Sequence, residues 1–157
     1  TSFRLEYGQG LYPQDWTQIG TDSTAPVSEG LLGEWDTSGL DGLYALRLMV
    51  VHHDQQVEQA VVQVTLDNTP PQVAISYPQA GQELSLAQEP KVALQAQVNE
   101  PFLAKVDFYV DDVLVGTSDV SPFGVIWEAK RGAYSLRVVA TDLAGNTAEA
   151  TINFSVK

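Results

Sequence analysis

The chain is written in short runs in which apolar and polar residues alternate. In Val57–Leu66, Val62, Val64 and Leu66 fall on one face and Gln63 and Thr65 on the other, the period of a half-buried β-strand. Phe3–Tyr7, Leu43–Val51, Val92–Val98, Val106–Val110 and Tyr134–Thr141 are equally rich in Val, Leu, Ile, Tyr and Thr and predict further strands. Turn chemistry separates them, in Tyr7-Gly8-Gln9-Gly10, Ser38-Gly39-Leu40-Asp41-Gly42 and Ala144-Gly145-Asn146. Val110-Asp111-Asp112-Val113 has the length of a two-residue hairpin. No segment keeps a helical apolar stripe over three turns. The pattern predicts an all-β chain of short antiparallel strands.

An internal repeat organises these strands. Gly42-Leu-Tyr-Ala-Leu-Arg-Leu-Met-Val-Val-His aligns without gaps on Gly132-Ala-Tyr-Ser-Leu-Arg-Val-Val-Ala-Thr-Asp, and the register continues to Leu66 and Val156. Gly42/Gly132, Tyr44/Tyr134, Leu46/Leu136, Arg47/Arg137 and Ala60/Ala150 are identical pairs. Trp35 and Trp127 stand in similar places upstream, and Phe3–Tyr7 aligns with Val106–Val110. Two homologous modules follow, residues 1–66 and 72–157. Between them Asp67-Asn68-Thr69-Pro70-Pro71 is a short, stiff linker, because paired prolines hold the chain extended.

Composition narrows the partners. Eight basic against 20 acidic residues leave a net charge of −12, shared between the modules, so nucleic acid and anionic membrane surfaces are disfavoured. The absence of Cys excludes disulfides, zinc fingers and thiol catalysis. No run reaches the roughly 20 apolar residues of a membrane-spanning helix. A first residue of Thr reads as the start of a processed or excised fragment.

Gly-x-Tyr-x-Leu-Arg, followed by a hairpin and a further strand, resembles the end of an immunoglobulin-type sandwich. There a tyrosine corner sets the phenol against upstream backbone. Leu46 and Leu136 stand where antibody domains carry Cys, as in cysteine-free bacterial Ig-like modules. Val106–Gly116, Pro122-Phe123, Trp127 and Tyr134–Thr147 carry this resemblance from about Pro71 to Lys157. Phe3–Gly20 and Leu32–Arg47 are similar to extracellular tails of large bacterial envelope proteins. The match suggested is the C-terminal tail of Chloroflexi-type class A penicillin-binding proteins, whose parents carry a family 51 glycosyltransferase and a transpeptidase.

The resemblance implies two tandem immunoglobulin-like antiparallel β-sandwich domains, outside the cytoplasm, in the cell envelope or secreted. The first begins at its third strand. Either two strands lie upstream and were cut away, or the module is a reduced sandwich. A truncated sandwich would expose an edge and invite self-association.

Candidate chemistry is sparse. A transpeptidase needs Ser-x-x-Lys, yet the windows from Ser28, Ser76, Ser85 and Ser121 lack Lys in fourth position. No catalytic or cofactor-binding residue is therefore assigned, and the fragment reads as non-enzymatic. His52-His53 lie beside each other, so on a strand they point to opposite faces and chelate poorly. Asp67, Asn68, Asn99, Glu100, Asp142 and Asn146, with Asp41, could supply oxygens for a structural calcium, or serve only as turn formers. Tyr12 and Trp16, in a loop, could stack on sugar or pack over a sheet edge. Two functions remain: a spacer and interaction module contacting other envelope proteins, or a module binding cell-wall carbohydrate or peptidoglycan. A small hydrolase ranks last.

Overall fold

The computed structural model describes residues 1–157 and contains twelve strands and no helix, so no helix is long and apolar enough to cross a membrane. The strands are β1 (Ser2–Gln9), β2 (Thr17–Ser23), β3 (Gly42–Val51), β4 (Val57–Leu66), β5 (Gln72–Tyr77) and β6 (Glu83–Leu84). They continue with β7 (Lys91–Asn99), β8 (Leu103–Val110), β9 (Val113–Ser118), β10 (Phe123–Glu128), β11 (Gly132–Asp142) and β12 (Thr147–Val156). Every strand expected from alternation is present. The chain divides into two compact units, Thr1–Asn68 and Thr69–Lys157.

The second unit is an immunoglobulin-like sandwich. One sheet runs β10-β7-β5 and the other β6-β12-β11-β8-β9. Alternation sends Val92, Leu94 and Ala96 of β7 against Val106, Phe108 and Val110 of β8, Leu136 and Val138 of β11, and Phe154 and Val156 of β12. Burying side chains such as Phe108, Leu94 and Leu136 stabilises the unit by about 1.5–3 kcal/mol each. β5 packs over β11 and β12, and β10 over β8 and β9. Packing there is close: a Cβ on Gly116 would stand 2.7 Å from Val125 Cγ1. Asp111 and Asp112 have φ of 47° and 64°, so they form a hairpin turn with both central residues left-handed.

The first unit is a single sheet in the order β2-β1-β3-β4, and its residues form no second sheet. Its rows match those of β8, β11 and β12. Tyr7–Leu46–Val62 corresponds to Val110–Leu136–Ile152, and Leu5–Leu48–Ala60 to Phe108–Val138–Ala150. The burial does not match. Leu136, Val138 and Phe108 are fully buried, whereas Leu46, Leu48 and Leu5 are only partly so and Val62 is 56% exposed.

The segment 24–41 crosses part of this apolar face. A Cβ on Gly33 would meet Leu5 Cδ1 at 2.8 Å, and the Trp35 ring lies 4.6 Å from that of Tyr7 and 5.7 Å from that of Tyr44. Trp35 fills the place its repeat partner Trp127 holds, but not on a strand. β10 is a strand because it pairs with β7, and the first unit has no equivalent of β7 to pair with. Cover is thus given over β1 and Tyr44 of β3, while on β4 Val62 stays 56% exposed.

Candidate functional site

The other face of the first sheet is polar and carries the β1–β2 loop. Glu6 and Arg47 are cross-strand partners, and Arg47 Nε donates to Glu6 Oε2 at 2.8 Å while its second nitrogen stands 2.6 Å away. The Glu6 carboxylate is largely buried, so this charge-assisted fork leaves neither charge unpaired. Above it, the guanidinium carbon lies 4.0 Å from the centre of the Trp16 ring, a cation–π contact. Arg137, the repeat partner, stacks likewise over Tyr109 at 4.3 Å.

This stacking draws the loop down onto the sheet. A Cβ on Gly8 would collide with Pro13 and stand 2.7 Å from Asp15 O, so only a glycine permits the approach. Gly10 N donates to Leu43 O at 2.8 Å and anchors the start of the loop. Trp16 is therefore half-buried with one face closed by Arg47, whereas Tyr12 stands 84% exposed. A shallow depression is lined by Tyr7, Gln9, Gln14, Asp15, Thr17 and Tyr44, and neither Tyr12 nor Trp16 borders it. The exposed Tyr12 ring offers an open apolar face of the kind on which a sugar can stack. Of the two aromatics singled out in the sequence, Trp16 packs on Arg47 and Tyr12 stands exposed.

Several of the calcium candidates hold turns and strand ends. Asp142 is buried; its Oδ1 accepts from Asn146 N at 2.8 Å and its Oδ2 from Asn146 Nδ2 at 2.9 Å, closing the β11–β12 turn. Burial pushes this carboxyl's pKa up, but donation from Asn146, Gly145 and Ala144 more than offsets it, and the net shift is downward. Glu100 Oε1 accepts from Phe102 N at 2.8 Å, and Asn99 ends β7. In the first unit Asn68 N donates to Asp41 Oδ1 at 2.6 Å, and Asn68 Nδ2 to Thr37 O and Leu40 O at 2.9 and 2.6 Å. Asp67 is half-buried directly after β4. No group of three or more His, Asp or Glu side chains is placed to hold a metal ion.

The histidines lie in the β3–β4 turn. Asp54 Oδ1 accepts from Gln56 N at 3.1 Å, Gln55 adopts φ 66°, and His52 Nε2 is 3.5 Å from Glu58 Oε1. The two phenols of the repeat differ. Tyr134 Oη donates to Lys130 O at 3.0 Å, whereas Tyr44 is buried among the rings of Tyr7 and Trp35.

The fold of the second unit is that of an immunoglobulin-like sandwich. Residues 71–138 match the family of bacterial Ig domains. No curated protein is significantly similar to the chain. Among solved structures, the chain is similar to the fibronectin(III)-like modules of Clostridium thermocellum CbhA, with 28% identity and a TM-score of 0.51, over 55% of this chain and 96% of that one. It also resembles a modular endo-β-1,4-mannanase of Cellulomonas fimi, at 21% identity and a TM-score of 0.42, over 60% of this chain and 20% of the mannanase. A Bacteroides ovatus protein, SGBP-B, in complex with a mixed-linkage heptasaccharide matches at 14% identity and a TM-score of 0.44, over 57% of this chain and 24% of that one.

Proposed function

We propose that this chain is a non-catalytic accessory segment of a larger extracellular bacterial protein, which it spaces and through which it contacts other molecules at the cell envelope. The observation that carries this reading is what the buried acids do. Glu6 forks to Arg47, Asp107 bonds Lys105 and Thr117, and Asp142 closes a turn. Each carboxylate that the fold shields from water is committed to holding strands or turns together, and the sandwich interior is filled by apolar side chains. The similarity of residues 71–138 to bacterial Ig domains supports an exported setting. The resemblance of the first unit to envelope-protein tails favours a parent that builds peptidoglycan.

The second reading, a carbohydrate- or peptidoglycan-binding module, rests on the exposed ring of Tyr12 at the tip of the β1–β2 loop. Co-sedimentation with insoluble peptidoglycan separates the two. A spacer stays in the supernatant. A glycan binder pellets, and Tyr12→Ala and Trp16→Ala return it to solution. Release of reducing ends or peptides from the same material would overturn both in favour of a hydrolase.

A further inference from the structure

The end where β1 turns into β2 and the end where β8 turns into β9 are built on matched strands, yet they use their polar groups differently. In the second unit the turn is Asp111-Asp112, and its polar groups are bonded internally. Asp111 Oδ1 accepts from Ser135 N at 2.9 Å, Asp112 pairs with Arg137, and the Tyr134 phenol donates to Lys130 O. In the first unit the longer loop Gly10–Trp16 stands in place of that turn, and Asn68 Nδ2 takes the Leu40 carbonyl that corresponds to Lys130 O. The Tyr44 phenol is thereby left with no hydrogen-bond partner in the chain, although the residue is only 6% exposed.

Tyr44 borders the depression described above, which has a volume of about 430 Å³. That lies within the roughly 300–1,000 Å³ of small-ligand sites. The Tyr7 phenol, the Asp15 carboxylate, the Gln9 amide and the Thr17 hydroxyl around it make no side-chain hydrogen bond within the chain either. Gln14 makes only a long one, from Nε2 to Tyr12 O at 3.4 Å. The walls come from β1, β2, β3, the β1–β2 loop and the corner at Leu40, and none lies on β4. No Lys, Arg or His is among them.

We propose that this depression binds one neutral sugar residue. Sugar hydroxyls both donate and accept, as do the two phenols, the Thr17 hydroxyl and the amides, and a carboxylate such as Asp15 accepts from a pair of neighbouring hydroxyls. An ammonium ligand only donates and leaves the amide and phenol hydrogens without acceptors. An anionic ligand meets Asp15 with no cation to offset it. The Tyr44 phenol supplies a donor and acceptor in a largely buried place, where a hydrogen bond is stronger than in open water. The inference deepens the second reading above, on which it rests for the source of the sugar, and it sets this contact apart from the Tyr12 ring.

The test titrates the full isotope-labelled chain with glucose and with N-acetylglucosamine to tens of millimolar, and separately with methylammonium chloride. The expected result is saturable shift changes at Gln9, Asp15, Thr17 and Tyr44 with at least one sugar and none with the ammonium salt. Tyr44→Phe removes an oxygen that holds nothing in the fold, so it keeps the melting midpoint and weakens sugar binding about three- to tenfold. Asp15→Asn weakens it by a similar factor. No saturable shift with either sugar, equal shifts with the ammonium salt, or undiminished binding by both variants would overturn the proposal. The peptidoglycan experiment is read separately. Pelleting without shifts at these residues overturns this site alone, whereas saturable shifts here without pelleting overturn the second reading and leave the site standing.

Discussion

The Tyr134 hydroxyl donates to the backbone carbonyl of Lys130 at 3.0 Å and closes the corner that leads into β11. At the same place in the first unit the carbonyl of Leu40 accepts from Asn68 Nδ2 at 2.6 Å. Equivalent corners are thus held by a phenol in one unit and an amide from the chain beyond β4 in the other. Tyr134→Phe should cost the second unit about 1 kcal/mol, and Asn68→Ala, losing two side-chain bonds, should cost the first about 1–2 kcal/mol. Denaturant midpoints followed by residue-resolved hydrogen exchange would assign each loss to its unit.

The matched leucines test the difference in burial. Leu136 is fully enclosed, so Leu136→Ala should cost about 2–5 kcal/mol, whereas Leu46→Ala, beside open surface, should cost roughly half as much. The comparison is read from amide protection in β11 and β3. Equal losses would mean that Leu46 is covered in solution.

Acid should weaken the second unit. Asp107 is pushed up by burial but held down, on balance, by Lys105 and Thr117, and Asp142 is likewise lowered by its turn. A carboxylate with a depressed folded pKa stabilises fully above its unfolded value, here about 3.8, and that stability goes as pH falls through the folded value. Melting temperature should therefore hold near neutrality and drop below about pH 4. Asp142→Asn should flatten the drop.

The loop aromatics should separate cleanly. Trp16→Ala loses the stack on Arg47 and should destabilise the first unit by about 0.5–2 kcal/mol. Tyr12→Ala should leave melting unchanged, since its ring stands in solvent. Any effect of Tyr12→Ala on glycan retention is then a binding effect.

Calcium should change little. Because Asp142 and Asn146 satisfy each other, melting midpoints in EGTA and in millimolar calcium should coincide. A rise of several degrees with calcium would show that these oxygens can be recruited.

Six of the twelve strands, β1, β3, β4, β7, β8 and β11, were legible because alternation reports burial on one face, and the 90-residue repeat in β3–β4 and β11–β12 carried the row matching. β2 was not, because Thr17–Ser23 is an edge strand with one half-buried apolar residue, Ile19, and no alternation to read. The repeat also places Trp35, with Trp127, at a strand position, and there the structure differs. Strand formation depends on a pairing partner as well as on sequence, and that partner is absent from the first unit. Among site residues, Asp142 and Asn146 looked like cation ligands because the same oxygens that bind a metal also close a turn. Only distances distinguish the two uses.

Gly8 has a consequence for how such a protein can diversify. The absence of one carbon lets an entire surface segment, Gly10 to Trp16, lie against the sheet, while the tip at Tyr12 takes no part in holding it there. Substitutions at the tip can therefore accumulate without unsettling the scaffold, so long as the hydrogen at Gly8 is kept.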